Sequence, residues 1–178
     1  MIKKIALAIV AIVAVIACVL LYAATRPDSF TVQRSMTMKA PPDKAFALVN
    51  DFHNWGQWSP WEKLDPAMKR SHSGAANGTG AVYAWDGNSD AGTGRMEITE
   101  SVPSSKIVIT LDFTKPFASN NTTLFELTPK GDSTTVTWTM SGPSPYISKL
   151  MTTFVSMDKM VGGDFEKGLS AIKAIAEK

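Results

Sequence analysis

The chain has 178 residues, 44% hydrophobic and 19% charged, which fits one folded domain with an apolar appendage. Its formal net charge of +2 comes from Lys3 and Lys4, because without them 16 basic and 16 acidic residues remain. A formally neutral body argues against a nucleic-acid binder, and the single cysteine, Cys18, rules out an intramolecular disulfide.

Ile5 to Ala24 is a run of 20 residues without a charge. At about 1.5 Å per residue, a helix of that length covers the roughly 30 Å hydrocarbon core of a bilayer. Lys3 and Lys4 lie before it, and Arg26 and Asp28 lie after it. The positive-inside rule therefore predicts a single-pass anchor with a cytoplasmic N-terminus and an extracytoplasmic domain, periplasmic in a bacterium. Residues 1–25 are read as the anchor and residues 26–178 as the domain. A cleaved signal sequence is the alternative. Against it, the run exceeds the about 7–15 apolar residues of a signal core, and Tyr22 stands where a cleavage site prefers a small side chain. Val15-Ile16-Ala17-Cys18 loosely resembles a lipoprotein signal, but Val19 to Tyr22 continue the apolar run.

Phe30 to Lys39 alternates in the manner of a strand. Pro41-Pro42-Asp43 then opens a helix, with proline suited to its first turn and an acid to its N-terminal dipole. Ala45, Phe46, Leu48, Val49 and Phe52 form its apolar side. The next segment holds three of the five tryptophans, Trp55, Trp58 and Trp61. Left in water they would form a large apolar patch. They either plug one end of the core or gate a ligand entrance, and packing is the commoner use of such rings.

Met68 to Ser73 reads as a short strand. Ala81 to Asp86 reads as another, with Tyr83 and Trp85 on one face. Gly94 to Val102 carries Met96, Ile98 and Glu100 on one face. Lys106 to Thr114 carries Ile107, Ile109, Leu111 and Phe113, and Asn121 to Thr128 carries Thr123, Phe125 and Leu127. Thr134 to Met140 carries Val136, Trp138 and Met140. Short turns between alternating strands predict an antiparallel meander with one face toward water. From Tyr146 to Lys178 the apolar residues fall at steps of three and four, through Ile147, Leu150, Phe154, Met157, Val161, Phe165, Leu169, Ile172 and Ile175. That spacing predicts an amphipathic helix packed on the sheet. Gly162-Gly163 is read as its break or kink, with Asp164 capping the second piece. Met151, Met157 and Met160 suit an irregular space.

The segments Lys39 to Val49 and Phe52-His-Asn-Trp-Gly-Gln-Trp58 with Pro60, in this element order, resemble the START-like (SRPBCC) superfamily. Its polyketide cyclase/dehydratase and lipid-transport group is the nearest match. The resemblance covers Phe30 to Lys178. It implies an α+β helix-grip fold, a curved antiparallel sheet wrapped around a long C-terminal helix, here with an N-terminal transmembrane helix added. The fold hosts carriers, enzymes and binding modules alike.

No nucleophilic or metal-binding motif is present. The two histidines, His53 and His72, lack metal-ligand spacing, and His53 reads as a loop histidine held by local hydrogen bonds. No catalytic residue, metal or cofactor is assigned. The function expected is membrane-tethered binding of an apolar small molecule or lipid. The alternatives are a cyclase- or dehydratase-type enzyme and a cavity-free interaction module. The expected pocket lies between the concave face, with Tyr83, Trp85, Met96, Ile98, Ile109, Leu111, Phe113, Phe125, Val136, Trp138 and Met140, and the helix residues Phe154, Met157, Val161 and Phe165. Trp55, Trp58 and Trp61 would gate one end. Sheet and helix are expected to touch at both ends and leave a cavity of a few hundred Å³ between them.

Overall fold

The structure, a computed structural model, describes residues 2–178. The apolar run forms one helix, α1 (Ile2–Ala24), whose side chains are almost all exposed. Strand β1 (Ser29–Met38) leads to α2 (Pro42–Asn50) and two short 3-10 segments, Phe52–Gln57 and Pro60–Lys63. Six further strands follow: β2 (Lys69–Gly74), β3 (Ala81–Asp86), β4 (Thr93–Val102), β5 (Lys106–Lys115), β6 (Ser119–Lys130) and β7 (Ser133–Pro143). Two helices end the chain, α3 (Tyr146–Thr152) and α4 (Met157–Ala176).

The seven strands form one antiparallel sheet in the order β1-β7-β6-β5-β4-β3-β2. Sequential strands pair as hairpins, and only β1 makes a long-range pairing, with β7. Period-two alternation decides which face is buried: Val136, Trp138 and Met140 point inward, as do Phe125 and Leu127, and Ile107 and Ile109. One expected face residue does not follow. The β4–β5 register shifts between Ile98 and Glu100, so Glu100 turns out to solvent and pairs with Lys106 at 2.7 Å.

The C-terminal stripe holds in α4, where Phe165, Leu169 and Ile172 are buried. The break does not fall where the glycines predict. Gly162 and Gly163 lie inside α4, and the chain breaks between Thr152 and Met157. Ser156, not Asp164, caps α4, its hydroxyl accepting the Lys159 N–H at 3.3 Å. Gly162 serves a close approach instead: a Cβ there would lie 2.2 Å from Nη2 of Arg34 on β1. The Arg34 guanidinium passes through that notch to bond Asp158 and Glu166, both at 2.7 Å. The hydrogen bonds from Arg34 to Asp158 hold the Asp158 carboxyl below its ordinary range.

In α3 the stripe is reversed. Ile147 is exposed, as is Phe154 in the connector that follows, and Lys149 is buried with its ammonium 2.6 Å from Asp28. The hydrogen bond from Lys149 lowers the Asp28 pKa.

Candidate ligand cavity

The tryptophan segment is held by the end of α2. A helix leaves its last four carbonyls without intrahelical partners. Here all four find one. Asn54 donates its amide to Ala47 O at 3.0 Å, Trp58 its indole N–H to Leu48 O at 2.9 Å, and Trp55 its indole N–H to Val49 O at 3.0 Å. The Gly78 backbone N–H donates to Asn50 O at 2.9 Å. Two of the tryptophans thus cap the helix while filling the core, which answers their hydrogen-bonding need as well as their bulk. Trp61 is only partly buried and packs edge-on against Trp138 and Phe165.

Between the sheet and the first half of α4 lies a cavity of about 320 Å³. Its inner end is an aromatic floor, Phe165 stacked on Trp138 with ring centroids 4.2 Å apart and planes 4° apart. Beyond that floor Leu169, Ile172 and Ala176 pack solidly against the core. The cavity therefore sits at one end of the helix–sheet interface, not in its middle, because the large rings close the space from Phe165 onward.

Of the residues expected around a pocket, the structure places Trp55, Trp61, Tyr83, Trp85, Met96, Leu111, Phe113, Trp138, Met140, Met157, Val161 and Phe165 on the cavity wall. Ile98, Ile109, Phe125 and Val136 share the inner face but are packed in the core behind the cavity, and Trp58 is buried there against Phe125. Phe154 is 74% exposed and does not close over the sheet, because it lies in the connector between α3 and α4. Sequence reasoning left out Phe30, Met68, Phe117 and the polar Glu62, Asn121 and Thr123. Met151 and Met160, singled out for their adaptability, also line the space.

Among the residues lining the cavity, Glu62 and Tyr83 are the ionisable ones. The Tyr83 hydroxyl donates to Glu62 Oε1 at 2.5 Å, and Arg70 Nε donates to Glu62 Oε2 at 2.7 Å. Burial pushes the Tyr83 pKa well above the ordinary tyrosine value, and the Glu62 carboxylate adds to the rise. The hydrogen bond to Glu62 raises the Arg70 pKa. Both carboxylate oxygens are thus engaged, and the group is a fixed polar handle on an otherwise apolar wall. Its signal in the sequence was one acid directly after Trp61. Glu62, Arg70 and Tyr83 also border a second, more open cleft with Phe52, His53, Gly56 and His72. There the His53 and His72 rings stack at 4.2 Å, and His53 Nδ1 lies 2.7 Å from Asp51 Oδ1.

Comparison with known proteins agrees with this architecture. Residues 29–177 match the family described as polyketide cyclase / dehydrase and lipid transport, and the chain belongs to that family. This is the START-like (SRPBCC) helix-grip fold. No curated protein matches the chain in sequence. Among solved structures, protein CV1439 from Chromobacterium violaceum is 14% identical with a TM-score of 0.57, covering 86% of this chain and 99% of that one. Protein MLL2253 from Mesorhizobium loti is 18% identical with a TM-score of 0.58, covering 82% and 96%. BexL, a di-domain ARO/CYC from the BE-7585A biosynthetic pathway, is 13% identical with a TM-score of 0.62, covering 89% of this chain and 53% of BexL. The TM-scores show a common fold, and at identities this low they show the fold alone.

Proposed function

We propose that this chain binds an apolar small molecule or lipid in the cavity and that α1 holds it to a membrane. The cavity carries the reading. Its volume of about 320 Å³ falls in the range of small-molecule sites, and its wall is aromatic and methionine-rich with one partly buried carboxylate, Glu62. A cavity-free interaction module requires that space to be filled. The family description names lipid transport beside cyclase and dehydrase chemistry, which supports the ligand class. The helix from Lys3 to Ala24, 22 residues long, apolar and largely exposed, supports the tether.

Native mass spectrometry of Arg26–Lys178 tests the binding. The core cluster draws no residue from α1, so this fragment keeps its core. A co-purified apolar ligand, or an added fatty acid that stabilises the fold by about 2.7 kcal/mol at a hundredfold excess over its dissociation constant, is the expected result. No shift with any apolar compound removes the carrier reading. Carbonate extraction tests the tether: the full chain stays with the membrane pellet, and recovery of a mature form lacking residues 1–24 replaces the anchor with a signal sequence.

A second reading, an enzyme on a hydrophobic substrate, draws on Glu62 and Tyr83 alone. It predicts that Glu62→Gln abolishes turnover of a bound substrate while leaving binding within a few-fold. In the carrier the same change alters ligand preference only.

A further inference from the structure

Outside α1, nine large apolar side chains are exposed among the described residues. Seven of them share one end of the domain. Tyr146, Ile147, Met151, Phe154, Val155 and Met160 lie on α3, its connector and the first turn of α4, and Phe117 lies in the β5–β6 turn. Scattered single apolar residues are ordinary, but a contiguous cluster marks an interaction surface. The reversal of α3 makes this cluster: it turns Lys149 inward and Ile147 outward.

The end in question is the one that carries α1. The Tyr146 hydroxyl donates to Leu20 O at 2.9 Å, in the last turns of α1. The Ser144 N–H donates to Asp28 O at 2.7 Å, and the Lys149 ammonium bonds the Asp28 carboxylate. Strand register extends the argument to the sheet. Ser29 pairs with Pro143 at this end of β1, and Met38 pairs with Thr134 at the other. The β5–β6 turn falls on the α1 side, whereas the β6–β7 turn at Gly131 and Asp132 lies about 30 Å away, the length of a ten-residue strand. Phe117, Met151 and Met160 are at once exposed and on the cavity wall, so the apolar cluster is the rim of the mouth.

We propose that this rim sits in the surface layer of the same bilayer that α1 spans, so that the cavity opens into lipid and its ligand enters from the adjoining leaflet. The inference rests on the reading of α1 as a membrane helix. A helix that fills the hydrocarbon core with Ile5 to Ala24 brings Leu20 to Ala24 to the headgroup boundary, and α3 is bonded there. Exposed aromatic and aliphatic side chains are stable at that depth, and Tyr22 and Tyr146 suit the boundary itself.

The test uses the full chain with Cys18→Ala, reconstituted into vesicles of phosphatidylcholine and phosphatidylglycerol. Nitroxide labels are placed singly through Ile12→Cys, Phe117→Cys, Phe154→Cys and Asp132→Cys. Accessibility to oxygen, which concentrates in lipid, is compared with accessibility to a water-soluble nickel chelate. The expected result is an oxygen-to-nickel ratio several-fold higher at 12, 117 and 154 than at 132. Lipid-like values at 12 with aqueous values at 117 and 154 overturn the proposal and leave the anchor standing. Aqueous values at all four positions overturn the anchor and the proposal together.

Discussion

Replacing Trp138 with alanine and, separately, with phenylalanine separates packing from hydrogen bonding at the centre of the fold. Trp138 is 3% exposed. It stacks on Phe165, meets Trp58 and Trp61 edge-on with centroids 5.6 Å and 5.7 Å away, and lies tilted against Phe125 at 4.7 Å. Its indole N–H is buried with no partner among the described residues. Truncating a packed tryptophan to alanine costs about 3–5 kcal/mol. Alanine also removes the unpaired indole donor, a relief of about 1–3 kcal/mol that offsets the loss of about 0.5–1.5 kcal/mol with each aromatic pair, so the lower part of the truncation range, about 3 kcal/mol, applies. Phenylalanine keeps most of the stacking on Phe165. It also removes the unpaired donor, whose desolvation costs about 1–3 kcal/mol, so the lost ring area is largely offset and the net change stays within about 1 kcal/mol. Urea unfolding of Arg26–Lys178 followed by circular dichroism reads both. With a slope of about 2 kcal/mol per molar, alanine lowers the midpoint by about 1.5 M and phenylalanine by less than about 0.5 M. If phenylalanine costs as much as alanine, the N–H is making a bond that stabilises the fold. If alanine costs under about 1 kcal/mol, Trp138 is not packed as described.

Two glycines in α4 should respond oppositely. Gly163→Ala meets nothing within 4 Å and should stabilise by up to about 1 kcal/mol through helix propensity, whereas Gly168→Ala puts a Cβ 2.9 Å from Trp138 Cζ3 and should destabilise by about 1–2 kcal/mol. Equal thermal shifts for the two would contradict the packing of α4 on Trp138. Tyr83 has a raised folded-state pKa, so its contribution is fully present below the unfolded tyrosine value of about 10 and is lost as pH climbs from there through the folded value. Absorbance at 295 nm, taken as wild type minus Tyr83→Phe, should therefore rise only above pH 10, and a rise centred at or below pH 10 would refute the burial of this phenol. His53→Ala should change stability by less than about 1 kcal/mol, because an exposed side-chain contact with Asp51 is worth little. Binding of an apolar probe should also be unchanged, since His53 lies off the main cavity wall. Lost binding in a folded protein would give that residue a role in the site.

Where a pattern is local, the sequence carried it. Alternation in β3, β5, β6 and β7 named the inward residues, because a strand's period of two leaves no freedom once one face is buried. The uncharged run up to Ala24 specified a helix long enough to cross a bilayer, and the spacing through Phe165, Leu169 and Ile172 specified the buried side of α4. Tertiary contact decided the rest. Gly162 looked like a break, yet it is a notch for Arg34, which comes from a strand over a hundred residues earlier. Phe154 and Ile147 obeyed the same helical spacing as Phe165, but the helix stops at Thr152 and Lys149, not Ile147, is the buried residue of α3, so α3 turns its apolar side out. Glu62 gave no periodic signal, since a carboxylate becomes a feature of an apolar wall only when Tyr83 and Arg70 are folded against it. The place of the cavity was likewise hidden. Volume is a difference between side chains on separate elements, and the stack of Phe165 on Trp138 decides where packing stops and open space begins.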